Sequence, residues 1–371
     1  MKILIIMGTR PEAIKFAPLI KLLETDPYFD LRVCITGQHK EMLQQVLDFF
    51  EIIPQYDLNL MKHNQTLFDV SAAALTGMKP VLDDFKPDLV FVQGDTTTAF
   101  IGALAAFYEK CPIAHLEAGL RSGDKFSPFP EEANRKLVAA IADYHFAPTN
   151  LAKSALEKEN ICKHVWMVGN TVVDALLLGL NNLRNRKMDF NNEFEYIDFT
   201  RPVVLITAHR RESFGKPFED ICDAILDIKQ RHKDVQFIYP VHFNPNVREV
   251  VNRKLAGMEG IFLIEPLDYP RLIWLMEKST IILTDSGGIQ EEAPALGKPV
   301  LVMRDVTERV EGIEAGTAKL VGTDKVVIAT HLHALLDNEN GIYDQMAKAT
   351  NPYGDGTTSI KIIEILKQMD K

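Results

Sequence analysis

Asp95 in Gln-Gly-Asp-Thr-Thr-Thr and Glu117 in His-Leu-Glu-Ala-Gly each end an apolar run. A carboxylate in that position must be paired, desolvated or functional. Glu131 and Glu132 follow Pro130 at a predicted helix start, where they either cap the helix or face a ligand. Thr207-Ala208-His209-Arg210-Arg211-Glu212 places three potential cations just beyond another apolar run. That density suits a pyrophosphate, with a solvated basic cluster as the competing reading. His209 adds an imidazole to this cluster, the side-chain type suited to gaining or losing a proton near neutral pH. Carboxylates opposite a cationic phosphate site suit acid-base work on a sugar.

Two further segments have the form of anion sites. Gly8-Thr9-Arg10-Pro11-Glu12 lies at the first strand-to-helix junction, where free backbone N–H groups and a positive helix end favour negative charge. Arg10 either clamps a phosphate with two N–H groups or makes a capping or interface ion pair. The three-glycine spacing of a dinucleotide turn is missing here, so NAD binding loses its best sequence support. Thr284-Asp285-Ser286-Gly287-Gly288-Ile289-Gln290-Glu291-Glu292 follows a fully apolar strand and opens a helix. Ser286 offers a hydroxyl, Gly287 and Gly288 permit close backbone approach, and the glutamates one turn on suit ribose hydroxyls better than phosphate.

The elements that must position these groups repeat along the chain. Short apolar runs at Ile3 to Met7, Leu31 to Thr36, Asp88 to Gln93, Pro112 to Leu116 and Tyr144 to Ala147 alternate with helix-period stretches. The order restarts with Val203 to Thr207, Val235 to Tyr239, Ile261 to Ile264, Thr280 to Thr284 and Pro299 to Met303. Near-continuous apolar strands alternating with helices predict an α/β fold with parallel sheets covered on both faces. The candidate residues fall just past strand carboxyl ends, where open α/β sheets bind ligands. Two similar domains facing each other across a cleft are expected. They divide near Val168 to Asn170, as 1–168 and 169–358, and the helical spacing of 359–371 leaves open whether that segment packs back on the first.

With 371 residues, the chain exceeds the usual single-core limit, and 46% hydrophobic with 25% charged content is that of a globular protein. A formal net charge of -10 argues against a nucleic-acid or anionic-membrane surface. The opening apolar run stops at Met7, too short for a signal segment or membrane span, so a cytoplasmic location is expected. Cys34, Cys111, Cys162 and Cys222 lack CxxC spacing and the histidines form no HExxH pattern, so neither a metal nor a disulfide framework is expected.

Taken together, GTRPEAIK, GQHKEML, GDTTT, HLEAGLRSGD, PEEANR, TAHRRESFG, YPVHFNPNVR, TDSGGIQEEAPALGKPVL and NPYGDG resemble the non-hydrolysing UDP-N-acetylglucosamine 2-epimerases almost end to end. The resemblance implies two Rossmann-like domains in the glycosyltransferase-B arrangement, a homodimer, no cofactor, and interconversion of UDP-N-acetylglucosamine and UDP-N-acetylmannosamine. It places catalytic roles on Asp95, Glu117, Glu131 and His209, with Lys15 in support, and UDP contacts on Arg10, His209, Ser286, Gly287, Gly288 and Glu292. Some members bind a second UDP-N-acetylglucosamine as an activator, and the matching positions are Gln38, Glu131, Arg210 and His242. The chain departs from the pattern at Gln93, where His is usual, and at Asn64, Leu272 and Val310.

The C2 proton of N-acetylglucosamine lies next to no carbonyl, so simple removal and return is too slow. Oxidation at C3 with NAD or expulsion of UDP would solve this, and the missing dinucleotide turn favours expulsion. A glycosyltransferase of the same architecture, a hydrolysing epimerase and a non-catalytic nucleotide-sugar sensor are the competing readings. The three acidic motifs favour proton transfer over the first and the last.

Overall fold

Apolar strands whose two faces are both covered build two parallel sheets in the computed structural model, which describes residues 1–37, 40–61 and 65–369. The chain divides into one unit of Met1–Leu178 with Tyr353–Lys371 and a second of Gly179–Pro352. In the first unit β1 (Lys2–Met7), β2 (Asp30–Ile35), β3 (Tyr56–Asp57), β4 (Leu89–Gln93), β5 (Ile113–Leu116), β6 (Tyr144–Ala147) and β7 (Val165–Met167) lie in the order β3-β2-β1-β4-β5-β6-β7. The second unit holds β8 (Val203–Thr207), β9 (Gln236–Pro240), β10 (Ile261–Ile264), β11 (Ile281–Thr284), β12 (Val300–Val302) and β13 (Ala318–Leu320), in the order β10-β9-β8-β11-β12-β13. Each unit is Rossmann-like, as expected of a glycosyltransferase-B-like chain.

Burial explains the lack of alternation in the strand sequences. Ile3 to Met7 and Leu89 to Gln93 are buried throughout, because helices cover both faces of the sheet. Leu4, Ile6, Val90 and Val92 pack with Met78, Leu82 and Phe85 of the helix Leu67–Phe85 and with Ala99 and Ala103 of the helix Thr97–Tyr108. In the second unit, Val204 and Ile206 join Phe218, Ile221 and Ile225 of the helix Lys216–Arg231, together with Ile328 and Leu332 of the helix Lys325–Leu336.

Strand order reverses between β1 and β4 and again between β8 and β11. Loops leaving two such neighbouring strands run in opposite directions and leave a crevice at the carboxyl edge. Gly8 to Arg10 and Asp95 follow β1 and β4, while His209 and Ser286 follow β8 and β11, so candidate residues stand at the switch point of both units.

The helix Thr358–Met369 completes the first unit and packs against the helix Arg10–Thr25. Asp174 accepts the Ser359 N–H at 2.7 Å, Lys367 Nζ lies 2.5 Å from Asp26 Oδ2, and Asn170 N–H donates to the Tyr353 carbonyl at 2.6 Å.

Candidate functional site

In the first unit the turn after β1 is organised from within. Glu12, 1% exposed, accepts the N–H groups of Gly8 and Thr9 at 2.9 and 2.7 Å and the Thr9 hydroxyl at 2.7 Å, all on Oε2. Its Oε1 accepts the Thr96 hydroxyl at 2.7 Å, which ties the turn to the loop after β4. Burial pushes the Glu12 carboxyl up, and these hydrogen bonds pull against that shift. Gly8 has no room for a side chain, since a Cβ there would come within 2.3 Å of Thr36 Oγ1 and 2.4 Å of Thr98 Oγ1. Arg10 opens the helix Arg10–Thr25 half-buried, and its guanidinium makes no hydrogen bond or ion pair among the described residues.

Glu117 leaves β5 with φ at +63°, a left-handed conformation that is unfavourable for a residue with a Cβ. Its carboxylate, 8% exposed as a residue, gathers several donors. Lys15 Nζ lies 2.5 Å from Oε2, Gln93 Nε2 donates to the same oxygen, and Asn170 Nδ2 reaches Oε1 at 3.4 Å. Lys15 comes from the second turn of the helix after β1, Gln93 from the end of β4 and Asn170 from the segment after β7. Gly94 N–H donates to the Leu116 carbonyl at 3.0 Å, which holds the Asp95 loop beside the start of the Glu117 loop. His115 Nε2–H donates to the Gly94 carbonyl at 2.8 Å. Burial pushes the His115 imidazole down to about 4, so it is neutral near pH 7.

Asp95 is gripped by the helix Glu131–Ile141. Arg135 Nε and Nη2 both reach Asp95 Oδ2, at 2.9 and 2.6 Å, and Asn134 Nδ2 donates to the Asp95 carbonyl at 2.9 Å. Arg135 Nη1 lies 3.0 Å from Glu132 Oε2. Glu132, fully buried, also accepts the N–H groups of Ser122 and Gly123 at 3.0 and 3.3 Å. It therefore anchors the preceding loop rather than facing a ligand. Glu131, one residue earlier, has a buried Oε2 with no hydrogen-bond partner. The two adjacent glutamates thus have different jobs.

The second unit builds its edge around Asp285, which is 1% exposed. Its Oδ2 accepts the N–H groups of His209 and Arg210 at 2.7 and 2.8 Å, and its Oδ1 lies 3.4 Å from His209 Nδ1. Burial pushes this carboxyl up, but the His209 imidazole and the two N–H groups outweigh it and leave it below the usual aspartate value. Arg210 Nε donates to the Asp285 carbonyl at 2.9 Å, so part of its guanidinium is committed to fixing the loop. The Tyr239 hydroxyl donates to the Ala208 carbonyl at 2.8 Å from below. The His209 side chain stays 47% exposed and stacks on His242, with ring centroids 5.3 Å apart. Burial and the neighbouring His209 lower the His242 pKa.

Ser286 presents a hydroxyl that caps nothing, at the start of the helix Gly287–Glu292. Gly288 lies outside the left-handed region, and a Cβ there would find Glu292 Oε2 at an ordinary 3.7 Å. Neither backbone conformation nor internal packing requires glycine at that position. Gly287 is covered by Arg309, whose guanidinium carbon would lie 3.2 Å from a Cβ. Arg309 also pairs with Glu291 at 2.8 Å and Glu308 at 2.6 Å, so Glu291 belongs to this internal network. Burial raises the Glu308 carboxyl, yet Arg309 and Arg304 outweigh it and bring it down to about 2. Glu292 accepts the hydroxyl of buried Tyr269 at 3.0 Å.

Sequence reasoning singled out the charged and glycine positions of the strand-end loops and passed over residues that hold them in place: Glu12, Asn134, Arg135, Asn170, Asp285 and Arg309. The Thr-x-x-Glu spacing of Thr9 and Glu12 is the one signal that would have found Glu12. Gln38 and Asn64 lie outside the described residues. No group of three or more His, Cys, Asp or Glu among the described residues has a metal-binding arrangement, and no helix among them is long and apolar enough to cross a membrane.

A family model for UDP-N-acetylglucosamine 2-epimerase matches residues 21–367. A UDP-N-acetylglucosamine 2-epimerase of Escherichia coli (strain K12) is 52% identical, over 99% of this chain and 98% of its own length. One from Campylobacter jejuni is 50% identical over 98% of this chain and 97% of its own. Among solved structures, UDP-GlcNAc 2-epimerase from Neisseria meningitidis bound to UDP-GlcNAc is similar with a TM-score of 0.92 and 47% identity, covering 99% of this chain and 100% of that one. The Methanocaldococcus jannaschii enzyme in complex with UDP-GlcNAc and UDP superposes with a TM-score of 0.80 at 35% identity, again over 99% and 100%. Similarity of this strength across nearly the full length means that the chain belongs to the UDP-N-acetylglucosamine 2-epimerase family.

Proposed function

We propose that the chain interconverts UDP-N-acetylglucosamine and UDP-N-acetylmannosamine without hydrolysing them. The C1–O bond breaks and its electron pair leaves with UDP. Loss of the C2 proton to a protein base then gives 2-acetamidoglucal. Protonation at C2 from the opposite face and return of the UDP oxygen to C1 complete the inversion. The observation that carries this reading is the group of carboxylates at the carboxyl edge of the first sheet. Asp95 and Glu117 are held by Arg135 and Lys15, and Glu131 presents an unpartnered oxygen. Positioned acids and bases of this kind move protons at carbon.

Arg10, with the Ser286 hydroxyl and the backbone of Gly287 and Gly288, receives the diphosphate. Glu292 takes the ribose, and His209 stabilises or protonates departing UDP. Two related structures are described as bound to UDP-GlcNAc, which supports the same ligand here. In the same reading the active species is a homodimer, which light scattering of the purified chain measures.

Incubation with UDP-N-acetylglucosamine in D₂O, followed by NMR and mass analysis, tests the chemistry. Deuterium should enter C2 of the epimerised product while the UDP-sugars persist. Retained protium would contradict proton exchange at C2. Stoichiometric UDP with free N-acetylmannosamine would identify a hydrolysing enzyme, and strict dependence on added NAD an oxidation route.

A further inference from the structure

We infer that Arg135 is a positioning residue that selects which oxygen of Asp95 moves the proton. Arg135 donates from Nε to Asp95 Oδ2 at 2.9 Å and brings Nη2 within 2.6 Å of the same oxygen. A forked pair on one oxygen fills its acceptor directions and fixes the plane of the carboxylate, leaving Oδ1 as the oxygen that faces a substrate. The backbone that carries this carboxylate is held as well, because Asn134 Nδ2 donates to the Asp95 main-chain carbonyl at 2.9 Å. The Arg135 side chain is itself 11% exposed and anchored by Glu132, which is fully buried and fastened to the Ser122 and Gly123 N–H groups. One turn of helix, Glu132 to Arg135, therefore sets a carboxylate that belongs to a different loop.

The inference rests on the proposed role of Asp95 in proton transfer. Arg135→Lys keeps a cation beside buried Glu132 but cannot place two N–H groups on one Asp95 oxygen. It should fold with an unchanged melting temperature and bind UDP within about twofold of wild type, while kcat falls about 10²-fold and KM barely moves, the mark of misplaced catalytic geometry. In an Asp95→Asn background the same substitution should cost nothing further, since its effect runs through that carboxylate. A merely structural role would lower melting and raise KM without sparing the double variant. Wild-type kcat in Arg135→Lys, or losses that multiply with Asp95→Asn, overturn the inference while leaving the epimerase reading in place. Wild-type turnover in Asp95→Asn itself overturns both the inference and the proton-transfer role of Asp95 on which it rests, with the epimerase reading still standing. Should Arg135→Lys not fold, Glu132→Gln loosens the same guanidinium. A kcat about tenfold down, again absorbed by Asp95→Asn, supports the inference, and full activity rejects it.

Discussion

Lys15 and Glu117 form an ion pair at 2.5 Å with side chains only 13% and 6% exposed. The pair joins the helix after β1 to the loop after β5, across β4. A partly buried charge survives when its partner and hydrogen bonds are in place, so neither residue can be removed without stranding the other.

Glu117→Gln should therefore retain UDP affinity and lose about 10² to 10⁴ in turnover. Lys15→Met should lose turnover as well, because it frees the carboxylate from its fixed orientation. Steady-state kinetics with calorimetry of UDP binding separates the two effects. Wild-type kcat in both variants would return the pair to a structural role.

Nucleotide binding should depend on Arg10, Ser286 and Glu292. Arg10→Ala is expected to weaken UDP by about tenfold or more, since a hydrogen bond to a charged group contributes about 1.5–3 kcal/mol. Gly288→Val is the sharper test. Its backbone conformation accepts a Cβ, which would meet Glu292 Oε2 at an ordinary contact of 3.7 Å, so a variant that melts like wild type should still lose UDP affinity. A stable Gly288→Val that binds UDP normally would move the diphosphate elsewhere.

Glu12→Ala should destabilise the first unit by about 3 kcal/mol, because it leaves buried N–H and hydroxyl donors of Gly8, Thr9 and Thr96 without an acceptor. Urea unfolding monitored by circular dichroism measures the shift. A change below about 0.5 kcal/mol, typical of a surface site, would mean that those donors find other partners.

Acid should weaken the fold through two histidines. Burial depresses both His115 and His145 to about 4, below their ordinary value, so the folded state resists protonation that the unfolded chain accepts. Their contribution is fully present above pH 6.5 and is lost as pH falls from 6.5 toward 4, on the order of 3 kcal/mol per site. Urea midpoints measured across that range should fall with pH. A flat profile, or one shared by a His115→Gln, His145→Gln double variant, would contradict this.

How much of this was legible beforehand follows from the physics of each feature. β6, β8 and β10 carry the bounds that their apolar runs predict, because turn or charged residues such as Asp143 and Pro148, Pro202, and Gly260 and Glu265 delimit each run. β3, at two residues, and β13, at three, are too short to leave a pattern. Asp95 and Glu117 stood out because each is a charge at the end of an apolar strand. Arg135 did not, since an arginine three residues after a glutamate on a helix reads equally well as a solvent-facing pair. Its grip on Asp95 spans forty positions of sequence and exists only once the helix Glu131–Ile141 is docked. The choice between capping and ligand for Glu131 and Glu132 was likewise invisible in their shared sequence context. It is decided by which carboxylate meets the Ser122 and Gly123 N–H groups.

The return of Tyr353–Lys371 to the first unit sets an order of events during synthesis. A ribosome releases residues 179–352 before the segment that supplies Tyr353, Ser359 and Lys367. The inserted unit can thus close its sheet while the unit begun earlier still lacks the partners of Asn170, Asp174 and Asp26. The part of the protein made first is finished last. A released chain truncated after residue 352 consequently carries every strand of the second sheet and an open seam along the first.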